Sequence, residues 1–162
     1  MVDMDRQDTG STIDFSAILD HIESGITAQE PGGRMLYANP AAARLIGYAS
    51  VDALLAAAPG AAAARWEIFD ENGQSLSVER LPNRRTLAGE GEISETLRFR
   101  SRETEREFWV EMRSTPIHAA DGTLQFIVTA WDDVTERRRI EEGDRRLAAL
   151  ISTTDDAIIS KR

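Results

Sequence analysis

Asp132 and Asp133 are the first residues of this sequence that invite a chemical reading, because adjacent carboxyls can share a proton and divide acid and base work. Their setting points elsewhere. They close an alternating apolar stretch and open a helical one, which is where an aspartate caps a helix. His21 falls in an N-terminal helical pattern and His118 follows an alternating stretch ending at Ile117, so both read as solvated or structural histidines. Gly89-Glu90-Gly91 lacks the third glycine of a dinucleotide fingerprint, and there is no G-x-S-x-G, no H-E-x-x-H and no phosphate-binding glycine loop with its lysine. The sequence contains no cysteine, which excludes disulfides, thiolate metal sites, thiol catalysis and a cysteinyl-linked chromophore. Catalysis by this segment has little support in its residues.

Charge narrows the partners. There are 28 Asp+Glu against 19 Lys+Arg, a formal net charge of -9, so phosphate backbones and anionic lipid surfaces are repelled by most of the surface. The run Arg137-Arg138-Arg139 is flanked at helical spacing by Glu136, Glu141, Glu142 and Asp144, the pattern of an ion-paired helix face. We expect neither nucleic-acid binding nor membrane contact. No run approaches the roughly 18 apolar residues of a membrane span, and the acidic start from Met1 to Asp8 lacks the basic and apolar regions of a signal peptide. A cytoplasmic location is the expectation. With 162 residues, 41% of them hydrophobic, the chain can bury a core as one domain with extensions.

Residues 1–11 have no apolar period and read as a disordered leader. After Ser11 and Thr12, either a plausible N-cap, Ile13, Phe15, Ile18, Leu19 and Ile22 outline an amphipathic helix that Ser24-Gly25 breaks. Ile26 to Gln29, a Pro31-Gly32-Gly33 turn and Met35 to Ala38 predict a hairpin. Asn39-Pro40 is an N-cap followed by a proline at the first helical position, and Gly47 is the left-handed stop. Ser50 caps a second short helix through Ala58, before Pro59-Gly60. From Ala61 to Gly89, which holds an Asn72-Gly73 turn, the pattern reads as short helices and loops. Ile93 to Arg100, Phe108 to Ile117 and Leu124 to Asp132 then alternate as a three-stranded antiparallel meander.

Those three stretches have two apolar faces. With Leu97, Phe99, Val110, Met112, Phe126, Val128 and Ala130 turned to the core, Trp109, Ile127, Thr129 and Trp131 point the other way, onto a face too apolar to be left in water. A homodimer using that face and the N-terminal helix is the expectation. From Asp133 the period becomes helical, Asp133 with Glu136 forming a capping-box variant. Ile140, Leu147 and Thr154 recur seven apart with Leu150 and Ala157 at the d-type positions that follow Leu147 and Thr154, a coiled-coil seam that Gly143 interrupts.

Leu147 to Arg162 also overlies Phe15 to Glu30 without a gap, pairing Phe15 with Leu147, Ile18 with Leu150, Gly25 with Ala157 and Ile26 with Ile158. A constant offset of this kind signals tandem architecture, unless two amphipathic stretches agree by chance. We expect residues 154–162 to open a truncated second copy of the domain.

Asn39-Pro40-Ala41-Ala42-Ala43 leading into Leu45-Ile46-Gly47-Tyr48, then Thr115-Pro116-Ile117, Asp121-Gly122 and the closing Trp131-Asp132-Asp133-Val134-Thr135-Glu136-Arg137, resemble the PAS family over roughly residues 15–139. The resemblance implies an α+β fold, a five-stranded antiparallel sheet with short helices on one face. It also implies an output helix that starts at the Asp-x-Thr motif, Asp133 and Thr135, which becomes the expected site of signal relay. On this reading residues 12–135 form the PAS domain and 136–153 a linker or coiled-coil helix. Leu97, Phe99, Val110, Met112, Phe126, Val128 and Ala130 are then its ligand-pocket candidates, although plain core packing accounts for all seven. The flavin-binding light sensors of the family need a reactive cysteine, and its haem-binding members an axial histidine on a helix beside the pocket. Neither His21 nor His118 meets that need, so the cofactor stays unknown and any ligand is small and largely apolar. The function implied is that of a sensory module in a multidomain regulator, of histidine kinase or cyclic-dinucleotide enzyme type, the partners being a tandem PAS domain and an output domain of the same chain. The alternative is a ligand-free PAS module acting only in dimerisation or docking.

Overall fold

The computed structural model describes residues 13–159. The expected leader and the Ser11 and Thr12 caps lie outside them. Helix α1 (Phe15–Asp20) is capped by Asp14, whose carboxylate accepts from the Ser16 amide at 3.0 Å. Phe15 and Ile18 stay in solvent at 72% and 50% exposure, while Leu19 is half-buried. Strands β1 (Gly25–Gln29) and β2 (Met35–Ala38) form the predicted hairpin, turned at Gly33 with φ 85°. Asn39 then caps α2 (Pro40–Ile46), which stops at Gly47 with φ 94°. The fully buried Asn39 side chain makes four hydrogen bonds: its Oδ1 accepts from Ala42 N (2.9 Å) and Ile26 N (2.8 Å), and its Nδ2 donates to the carbonyls of Leu19 (3.0 Å) and Ser24 (2.9 Å). One amide therefore joins helix α2, strand β1 and the end of α1. Helix α3 (Val51–Leu55), capped by Ser50, ends three residues before the predicted Ala58.

The middle of the chain holds more than short helices and loops. Helix α4 (Ala61–Ala64) leads into β3 (Trp66–Phe69) and β4 (Ser75–Leu76), an antiparallel hairpin whose turn is fixed by the Asp70 carboxylate accepting from the amides of Asn72 and Gln74, each at 2.9 Å. A 3₁₀ turn (Val78–Arg80) and α5 (Pro82–Leu87) follow. Strands β5 (Ile93–Ser101), β6 (Glu107–His118) and β7 (Leu124–Asp133) make the predicted meander, and α6 (Thr135–Ile159) leaves it. The sheet runs β2-β1-β7-β6-β5-β3-β4, antiparallel throughout. It has seven strands where five were expected, because the β3–β4 hairpin extends the β5 edge.

The core lies between the sheet and the short helices. Leu97, Phe99, Val110 and Met112 sit in it, all 4% exposed or less, with Trp66, Ile68 and Phe108. Strand β7 has the opposite parity to the one expected. Ile127 and Thr129 are 0% exposed and Trp131 packs inward, while Phe126, Val128 and Ala130 turn to the outer face. Register explains the reversal, since directly opposed residues share a face, and Met112 opposes Trp131 while Ser114 opposes Thr129. Two further features hold this parity. Gly25 lies opposite Trp131 and clears room for it, since a Cβ on Gly25 would come within 3.2 Å of Trp131 Cβ and 3.0 Å of Ala42 Cα. Thr129 tolerates burial because its hydroxyl bonds to that of Ser114 at 3.3 Å.

Helix α6 is continuous from Thr135 through Ile159. It spans both the expected linker and the residues where the repeat alignment begins a strand at Ile158. Where the N-terminal stretch of the alignment has the breaker Ser24-Gly25, the aligned residues are Asp156 and Ala157, and an alanine does not interrupt a helix.

Candidate functional site: an internal cavity and the root of the last helix

A cavity of about 70 Å³ lies between the sheet and helices α2 to α5. That is several times the roughly 10–15 Å³ that one water requires on such a measure. Phe99, Phe108, Trp66 and Trp131 give it aromatic walls, and Trp66 packs edge-on against Phe108 with ring centroids 5.2 Å apart. Of the seven pocket candidates, only Phe99 lines it. Leu97, Val110 and Met112 are core residues beside it, and Phe126, Val128 and Ala130 face away.

The polar residues of the cavity were not legible in the sequence. Thr27 and Gln29 reach it from β1, and Asn83 and Arg84 from α5. Trp131 Nε1 donates to Thr27 Oγ1 at 3.1 Å, which satisfies the indole inside the core. Gln29 Nε2 donates to the Gly33 carbonyl (3.2 Å), and Asn83 Nδ2 donates to Gln29 Oε1 (3.0 Å). Asn83 Oδ1 is buried with no partner. Arg84 makes no ion pair among the described residues, whereas its neighbour Arg85 is held by Glu90 (2.8 Å) and Glu95 (2.6 Å), and hydrogen bonds to both carboxylates raise the Arg85 pKa above its ordinary value. His21 and His118 are exposed and neither lines the cavity.

The expected relay residues form the root of α6. Asp133 Oδ1 accepts from the amide of Thr135 (3.0 Å) and from its hydroxyl (2.6 Å), and Thr135 Oγ1 in turn accepts from the Trp109 amide (2.9 Å). The Trp109 carbonyl accepts from Val134 N at 2.9 Å. One turn further, Arg138 lies 4.0 Å above the Trp109 ring and donates to Glu71, in the β3–β4 turn, at 2.8 Å. Arg137 reaches Glu111 on β6 at 3.1 Å. The helix is therefore fastened to two different parts of the sheet. Asp132 takes no part in this root and accepts from the Ser24 hydroxyl.

The outer face differs from the one expected. Trp109 does face outward, but it lies under Arg138 and beside Arg98, 5.9 Å from its ring. Ile127 and Trp131 are inside. Apart from Leu36 on β2, the large exposed apolar side chains among the described residues are instead those in and beside α1, from Ile13 to Ile22, and those of α6, where Ile140, Leu147, Leu150 and Ile151 are 57–65% exposed.

A family model described as PAS fold matches residues 19–139. No curated protein sequence matches the chain. Among solved structures, a PAS domain from Colwellia psychrerythraea is similar at TM-score 0.55 and 14% identity, over 75% of this chain and 95% of that one. The PAS domain of nitrogen regulation protein NR(II) from Vibrio parahaemolyticus is similar at TM-score 0.52 and 18% identity, over 75% and 99%. An RNA-binding light-oxygen-voltage receptor is similar at TM-score 0.59 and 22% identity, over 92% of this chain and 41% of that one. At these identities the likeness is one of fold. Together with the family match over most of its length, the sheet order and the Asp133–Thr135 helix root make this chain a member of the PAS family.

Proposed function

We propose that this domain senses a small ligand and relays its presence through α6 to an output domain, of histidine kinase or cyclic-dinucleotide enzyme type, elsewhere in a cytoplasmic multidomain regulator. The observation that carries this is the adjacency of Phe108, which lines the cavity, to Trp109, whose amide and carbonyl hold Thr135 and Val134. A ligand that moves Phe108 moves the next peptide, and with it the helix root. The domain does no chemistry of its own, and the catalytic step belongs to the output domain. Native mass spectrometry of protein purified from its source tests the reading: a retained small molecule supports sensing. A persistently empty domain favours the second reading, a docking or dimerisation module, to which the exposed apolar residues of α1 and α6 lend weight.

Under either reading we expect a homodimer paired along α6, with residues 154–162 leading into a tandem PAS copy. Leu147→Asp together with Leu150→Asp is then expected to shift sedimentation velocity to the monomer. An unchanged dimer would take α6 out of the interface.

The same seam predicts a phase dependence of output. Each inserted residue turns a helix by about 100°, so one residue added between Glu142 and Gly143 of the parent protein rotates Leu147 and Leu150 off the line set by Ile140. Basal output is expected to change several-fold with one insertion and to return near its starting value with seven, since a heptad is close to two turns. Output that falls steadily with insert length would make α6 a spacer.

A further inference from the structure

The hydrogen bonds around the cavity have a fixed direction. The Gly33 carbonyl can only accept, so the end of Gln29 that faces it must be Nε2, 3.2 Å away. Gln29 therefore presents Oε1 to Asn83, and Asn83 must answer with Nδ2, at 3.0 Å. That leaves Asn83 Oδ1 as the free end of the chain, and it is the buried side-chain oxygen without a partner among the described residues. Flipping the Asn83 amide would set two oxygens against each other, so a backbone carbonyl two side chains away decides that this oxygen is an acceptor. The Asn83 side chain is 8% exposed and lines the cavity. An acceptor left unpaired in such a place favours whatever brings it a donor.

The neighbouring charge limits what that donor can be. Arg84 lines the same cavity, with its guanidinium nitrogens 3.1 Å and 3.5 Å from where Cβ atoms on Gly33 and Gly60 would lie, and it makes no ion pair among the described residues. A cationic donor would meet that positive charge in the same cavity. Apart from Thr27, bonded to Trp131, and Gln29, bonded to Gly33 and Asn83, the rest of the lining is aromatic, aliphatic or glycine.

Resting on the sensory reading of the cavity, we infer that its ligand is a small, mainly apolar molecule carrying a neutral hydrogen-bond donor, a hydroxyl or an amide N–H, which bonds to Asn83 Oδ1. Hydrocarbons, ethers, esters and ketones of the same size lack the group this site requires, and alkylammonium ions carry the wrong charge.

Three probes of equal length test this on the full chain by ¹H–¹⁵N NMR titration. They are 1-butanol, its isomer methyl propyl ether, whose oxygen accepts but cannot donate, and butylammonium. We expect 1-butanol to bind at least about tenfold more tightly than either of the others, because only it offers the orphan oxygen a neutral donor. In Asn83→Leu, checked for folding by circular dichroism, the preference for butanol over ether is expected to disappear. Equal affinity of the alcohol and the ether in the wild-type chain overturns the inference without reference to the variant, as does tighter binding of butylammonium. So does a failure of 1-butanol to bind. A donor-free molecule found in the purified protein would overturn the inference and leave the sensory reading standing, whereas a chain that purifies empty and takes up none of the probes removes both.

Discussion

Asn39→Ala is expected to lower the stability of the domain by about 3–5 kcal/mol, among the largest losses a single polar residue can cause. The replacement deletes the N-cap of α2, which alone is worth about 0.5–2 kcal/mol. It also leaves the Ile26 amide and the carbonyls of Leu19 and Ser24 without the partner they have in the native fold. Each such group costs about 1–3 kcal/mol when it stays buried, and less where water reaches it. Asn39→Ser keeps a cap oxygen but lacks the NH2 group that serves both carbonyls, so it is expected to recover only about 1 kcal/mol. Urea unfolding followed by circular dichroism and tryptophan fluorescence measures both. A loss below about 1 kcal/mol for the alanine variant would reduce Asn39 to an ordinary cap.

The second large effect separates two adjacent residues of β7. Ile127 is 0% exposed and faces the core, so Ile127→Ala is expected to cost about 2–5 kcal/mol through lost burial and the space left behind. Val128 faces outward, and Val128→Ala is expected to cost under about 1 kcal/mol. The reverse ranking would restore the other parity of the strand. For the same reason Trp131→Arg acts on folding rather than on dimerisation. It places a charge where an indole bridges two core clusters and bonds to Thr27.

Why β7 misleads is instructive. Both of its faces carry apolar side chains, so alternation alone cannot choose between them. The polar residue in its middle, Thr129, points to the wrong answer because its hydroxyl is satisfied inside by Ser114. Local punctuation was far more legible: Asn39-Pro40, Gly47 and Ser50 set helix ends through contacts within a few residues. The Asn72-Gly73 turn was visible too, but not the strands around it. Strand β4 is two residues long, and β3 finds its longer partner only in β5, with Trp66 opposite Ser101. The cavity was least legible of all. Gln29 and Asn83 are 54 residues apart, and only the assembled sheet brings a strand glutamine against a helix asparagine. Arg84 and Arg85 look equivalent as letters, and Glu90 and Glu95 make them different.

The two fastenings of α6 also set its mechanical advantage. Thr135 is held by the backbone of β6 and Arg138 by the β3–β4 turn, three residues or about 4.5 Å apart along the helix axis. The arm from Arg138 to Ile159 is 21 residues, about 32 Å. While the helix stays straight, it is a lever with a ratio near seven. A displacement of about 0.5 Å between Trp109 and Glu71, across the axis, swings the far end by about 3–4 Å. The added hairpin is thus the fulcrum. On the proposed relay, removing Glu71 would leave this part of the helix to the Trp109 ring under Arg138 and the Arg137–Glu111 pair, and a given movement of the cavity wall would then arrive at the distal end diminished.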